Sequence, residues 1–146
     1  MFNKATQINA FYLDKTGEYY GDVTTYILSA KNLYYLLGIL NSKMFYFAHN
    51  AFYVGGGIDG EITLFTLEKF PIPKIDPKNK KLADKITACV NKILESKSQG
   101  NDTNDLENQI DDLVFELYDL DSTDIKTING EWLYYNACGI LQVYFL

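Results

Sequence analysis

The chain has 146 residues, of which 47% are apolar. That supports one domain, or one domain with an appendage, around a real core and excludes wholesale disorder. All 13 basic residues are lysine and face 19 acids, for a net charge of -6, which excludes a uniformly basic nucleic-acid binder and any readout of guanine by arginine.

The charge is unevenly spread. Residues 69–97 carry 8 lysines and 3 acids, whereas residues 98–126 carry 1 lysine and 9 acids. A whole-chain charge therefore says little about one face. Cys89 and Cys138 have neither metal-ligand spacing nor the makings of a disulfide framework, which suits a reducing cytoplasm. The N-terminus has no basic stretch leading into an apolar one, so no leader is expected. The apolar run from Trp132 to Leu146 is interrupted by Asn136 and Gln142. It is shorter than the roughly 20 residues of a spanning helix, and no membrane association is expected.

Along the chain, Ala10 to Leu13 predicts a strand, followed by a turn at Asp14-Lys15-Thr16-Gly17. Val23 to Leu28, rich in β-branched and aromatic residues, predicts a second strand. Asn32 is a candidate cap for a helix in which Leu33, Leu36, Leu37, Leu40, Met44 and Phe47 recur at helical spacing. Asn41-Ser42 is where that helix breaks and is recapped. Gly55-Gly56-Gly57 opens a loop, and Glu61 to Leu67 predicts a third strand. Phe70-Pro71-Ile72-Pro73-Lys74-Ile75 is an extended connector, because two prolines remove ladder donors.

Beyond the connector the pattern becomes helical. Asp76 and Pro77 suit a cap and a first helical position. Leu82, Ile86, Cys89 and Ile93 form one stripe; Leu106, Ile110, Leu113 and Leu117 form another, opened by a capping-box-like Asn104 with Glu107. Two stripes joined by the polar linker Ser96 to Asp102 predict an antiparallel helical hairpin. Ser122 to Asn129 predicts one more short helix, stopped by Gly130.

The chemistry of catalysis is sparse. There is no G-x-G-x-x-G and no P-loop sequence. His49 is the single histidine, so a nucleophile has one possible imidazole base. A small hydrolase built on His49 and Asp59 is one alternative. Glu95-Ser96-Lys97 looks like part of a nuclease motif but lacks a partner acid on a preceding strand. The positive signal is a tyrosine-rich N-terminal half with Asn, Thr and Lys between the rings. Such rings stack on bases while lysines meet phosphates, or else they are core tyrosines with bonded hydroxyls.

Three segments carry a resemblance. Leu33 to Lys43, ending Leu40-Asn41-Ser42-Lys43, looks like an "LLxxLNSK" helix; Phe70-Pro71-Ile72-Pro73 looks like an "L/F-PIP" connector; Ile110 to Leu120 looks like an "IDxLVYELYxL" closing helix. In this order they resemble the TaqI-like C-terminal specificity domain of type IIG restriction enzyme–methyltransferases and related adenine methylases, over about residues 11–128. The connector followed by a helix also resembles type I specificity subunits. The resemblance implies a target-recognition module without catalytic residues, detached from a methyltransferase or endonuclease domain that would carry the S-adenosylmethionine site and the N-P-P-[YF] motif. Neither is in this sequence, so no cofactor is expected on this chain. Relatives of this type end near the equivalent of Gly130, so the apolar tail is additional.

The sequence thus predicts an α+β (mixed α/β) fold: a small β-sheet recognition domain over residues 1–75, a helical hairpin over 76–130 and a tail over 131–146. The expected partners are double-stranded DNA and the missing catalytic domain, with a homo-oligomer through helices and tail as a further option. Chemistry and loop position nominate Lys15, Tyr19, Tyr20, Lys43, His49, Asn50, Tyr53 and Lys69 as DNA contacts, with Asn50 as a bidentate adenine reader and lysines on phosphate or guanine. The alternative is a protein-interaction module that docks through the hairpin and tail.

Overall fold

The computed structural model describes residues 2–3, 11–18, 20–21, 25–53 and 62–137, the side chains of 2, 3, 53 and 131–137 excepted. Most of these residues are helical. The one β ladder among them is two residues long: β1 (Phe2–Asn3) runs antiparallel to β2 (Thr25–Tyr26), with Phe2 opposite Tyr26. The strand expected over Val23 to Leu28 is thus formed at Thr25–Tyr26, with 22–24 outside the described residues.

Of the other two expected strands, Ala10–Leu13 is reduced among the described residues to a single β-bridge at Phe11, with Ala10 outside them, and Glu61–Leu67 forms no strand among them. Phe11 is also tied to a side chain. Its N–H donates to Asn41 Oδ1 (3.0 Å), and Asn41 Nδ2 donates to its carbonyl (3.0 Å). In the Glu61–Leu67 segment, Thr63 caps a helical turn, α3 (Leu64–Leu67). Its hydroxyl accepts from Thr66 N, and Thr66 Oγ1 accepts from Thr63 N. This reciprocal cap overrides the β-branched composition.

The helices follow the apolar periodicity. α1 (Leu33–Leu40) stops at Asn41, and Ser42 restarts the chain by capping α2 (Lys43–Ala48) through Phe45 N, as the sequence predicts. α2 continues into a π-helical turn, His49–Tyr53. The proline connector is extended, and α4 (Lys80–Ser98) and α5 (Asn104–Leu117) pack as the hairpin. Asp76 organises the turn before α4 by accepting from Lys78 N and Asn79 N, bonds that hold its carboxyl below the usual value. At α5 the cap position belongs to Thr103, and Asn104 is already helical. Glu107 reaches back to the Thr103 hydroxyl (2.6 Å) and to Lys97 (3.1 Å). α6 (Ser122–Ala137) runs straight through Gly130, which is therefore not a stop. An exposed glycine with free space around it costs a helix about 1 kcal/mol, too little to end it. No helix among the described residues is long and apolar enough to cross a membrane.

One apolar core runs from Phe11 to Ile128 and includes the inner faces of α1, α4 and α5. α1 crosses α4 at Gly38, where an added Cβ would lie 2.6 Å from Ile86 Cγ2 and 3.1 Å from Val90 Cγ2. The segments before and after residue 75 therefore share their interior.

Candidate nucleic-acid interface

Long-range polar ties join the three segments that carry the resemblance. Asn41-Ser42-Lys43 meets α5 at Asp111: the Lys43 N–H donates to Asp111 Oδ1 (2.8 Å), and Lys43 Nζ lies 3.1 Å from Oδ2. Burial pushes the Asp111 carboxyl up, against the Lys43 charge and its hydrogen bonds. The connector is clasped from both sides. Tyr35 of α1 donates its hydroxyl to the Pro73 carbonyl (2.9 Å), and Tyr118 after α5 donates to the Pro71 carbonyl (2.8 Å). Proline carbonyls two residues apart on an extended strap are free to accept, because no ladder claims them. Burial raises the Tyr35 hydroxyl to about 12, which keeps it a donor.

Phe45 of α2 is the point where the candidate loops converge. Its ring lies 5.6 Å from Phe11, 4.7 Å from Phe70 and 6.0 Å from His49. The loop after Phe11, the turn opened by His49, and Lys69 beside Phe70 therefore start from one aromatic cluster.

The nominated residues fare differently around it. Lys15 is exposed, in a turn tied by Asp14, which accepts from Thr16 N and Gly17 N; its ammonium lies 5.9 Å from the Tyr34 ring centroid. Tyr20 is 96% exposed, and Lys69 is exposed with Nζ 3.5 Å from the Phe65 ring centroid. Tyr19 lies outside the described residues; Tyr53 is in the π-turn, its side chain undescribed. Lys43 has only a 21% exposed side chain and is engaged with Asp111 and with Asn108 Oδ1 (3.2 Å), so its charge serves the fold.

His49 faces inward and is 1% exposed, with both ring nitrogens lacking a hydrogen-bond partner among the described residues. Burial lowers its pKa, and the Asn50 side chain opposes this only in part. A neutral imidazole in this place cannot touch a duplex without leaving the core. Asn50 is half-buried and its Nδ2 likewise lacks a partner.

Sequence reasoning missed two exposed aromatics beside this surface: Phe52, 72% exposed in the π-turn, and Phe65, 67% exposed on α3. Phe65 sat in an expected strand, whose alternation hid the face it presents. A groove of about 220 Å³ runs along α1, lined by Phe11, Leu13, Ile27, Leu33 and Leu37. It is smaller than the roughly 300–1,000 Å³ of typical ligand pockets. Comparison with protein-family models, with curated proteins and with solved structures finds no match to this chain.

Proposed function

We propose that this chain is a DNA target-recognition module of a restriction–modification adenine methyltransferase, without catalytic residues or a cofactor of its own. Its expected partners are duplex DNA and the methyltransferase or endonuclease domain that performs the chemistry. One observation supports this reading above the others: the three motif segments interlock through Lys43–Asp111, Tyr35–Pro73 and Tyr118–Pro71. A scaffold of that kind leaves its loops free to differ between targets, as recognition requires. In this reading Lys15, Tyr20 and Lys69 face DNA, joined by Tyr19, next to Tyr20 in the sequence, and by Asn50 and Tyr53 of the π-helical turn. The finer α+β reading, a small sheet carrying these loops, belongs to the same proposal.

Fluorescence anisotropy with duplexes of differing sequence tests it. Lys15→Ala with Lys69→Ala should weaken binding to every duplex alike, whereas Tyr20→Ala should cost more on the preferred duplex than on others. Unchanged affinity in all of them would discard the assignment of these loops.

A protein-interaction reading has an observation of its own. Ile27, Phe52 and Phe65 expose apolar area, a feature of docking surfaces when contiguous. The hairpin stripes do not serve it, because Ile86, Val90, Ile93, Ile110 and Val114 are buried in the common core. Such a contact fits the catalytic domain as partner, so it complements recognition.

A further inference from the structure

The lysines of α4 have a geometry that the fold itself does not use. Lys78, Lys81, Lys85 and Lys92 are separated by 3, 4 and 7 residues, so they line one face of α4 and the turn before it, with the exposed Ala88 in the gap. All four are exposed, as is Lys74 just upstream. Ile86, Val90 and Ile93 hold the opposite face against α1 and α5. The acidic α5 does not neutralise the row: among the described residues the ion pair between the two helices is Lys97–Glu107, and Lys80 is matched with Asp84 on α4 itself. Among the described residues none of Lys74, Lys78, Lys81, Lys85 and Lys92 forms an ion pair. Asp76, whose carboxylate is committed to backbone N–H groups, feels Lys78 only weakly, and the row ends at the exposed Glu95.

Like charges three and four residues apart, as at Lys78, Lys81 and Lys85, weakly disfavour a helix, and an anion laid along this solvent face would relieve that repulsion. From Lys78 to Lys92 the row is about 21 Å long at ~1.5 Å per residue, a rigid line of cations. A duplex backbone presents one negative charge per roughly 1.7 Å of axis and matches such a line better than a single anion does. The row also adjoins the candidate loops. Lys74 follows Pro73, whose carbonyl is held by Tyr35, and Lys15 lies over the neighbouring Tyr34.

We infer that the exposed lysine row of α4 is a second, sequence-independent contact that tracks the phosphate backbone of the duplex gripped by the loops. This rests on the recognition reading above.

The test uses the full chain with Lys78, Lys81, Lys85 and Lys92 all changed to Gln, and Lys126→Gln on α6 as an exposed control. Duplex binding is measured by anisotropy across a salt series. The row variant should bind every duplex more weakly and keep the wild-type order of preference. Its plot of log affinity against log salt should be shallower by about 2 to 4, at ~0.9 per lost phosphate contact. Lys126→Gln should match the wild type. If the row variant keeps the wild-type slope while Lys15→Ala with Lys69→Ala loses affinity, the row is overturned and recognition by the loops stands. If the wild type binds no duplex even at low salt, both fall. Salt-sensitive self-association that the row variant abolishes, without duplex binding, would assign the row to the acidic face of a second copy and overturn the inference.

Discussion

Asp111→Ala is the sharpest probe of the scaffold. The carboxylate does two jobs for α2: it accepts the N–H of Lys43, the first residue of that helix, and it pairs with the Lys43 ammonium. Truncation strands a part-buried backbone donor, which costs about 1–3 kcal/mol. It also removes the counter-charge of Lys43. Breaking a fully buried pair costs ~3–5 kcal/mol, but the 21% exposed Lys43 side chain can turn to water and recover much of that. The sum is about 2–4 kcal/mol of unfolding free energy. Asp111→Asn keeps an acceptor for the N–H and should cost about 1–2 kcal/mol. Urea unfolding of both, with Lys43→Met to close a double-mutant cycle, measures the coupling between residues 68 positions apart. The pH dependence adds a sign. Burial raises the folded-state pKa of Asp111, so the folded chain holds this proton more tightly than the unfolded chain does. Wild type should then gain stability relative to Asp111→Asn as pH falls from neutral through the folded value towards 3.8. A gap that narrows on acidification would mean that the ion pair dominates the site. A cost for Asp111→Ala below about 0.5 kcal/mol, the scatter of a neutral surface change, would refute the account of how these helices are joined.

Other expectations follow from single contacts. His49 has a lowered folded pKa, so its contribution is present above its unfolded value of 6.5 and is lost as pH falls through the folded one. His49→Phe should match wild-type stability at pH 7 and exceed it by up to ~1.4 kcal/mol per pH unit across that window; parallel pH profiles would contradict the buried, neutral imidazole. Gly38→Ala should destabilise by about 1–2 kcal/mol, the overpacking against Ile86 and Val90 outweighing the helix-propensity gain, whereas Gly130→Ala in open space should stabilise by about 1 kcal/mol. Equal signs for the two glycines in thermal melts would show that the α1–α4 crossing is wrong. Tyr35→Phe, which strands the Pro73 carbonyl beneath the connector, should cost about 1 kcal/mol or more, and the more exposed Tyr118→Phe less.

The helical parts were legible in the sequence because their signals are local. The leucine spacing of α1, the Asn41-Ser42 break, the proline strap and the two hairpin stripes each follow from a few neighbouring residues, and the structure forms them. The strand signal over Glu61–Leu67 failed because side chains satisfy the backbone instead, Thr63 and Thr66 capping a helical turn, while Ala10–Leu13 keeps only a bridge at Phe11. Gly130 failed as a stop because an exposed helix tolerates one glycine. In the candidate interface, the turn chemistry around Lys15 and the exposure of Tyr20 and Lys69 matched their loop positions. The roles of Lys43 and His49 could not be read from neighbours. The partner of Lys43 is in α5, and His49 turns inward because the ring of Phe45, one turn earlier, packs beside it.

The central claim is that this scaffold holds out loops that read a DNA sequence. Selection of duplexes from a randomised library by the full chain, followed by sequencing of the bound fraction, measures that directly. One enriched sequence, lost when Tyr20 is changed to Ala, is the predicted result. A bound fraction indistinguishable in sequence from the starting library would contradict it.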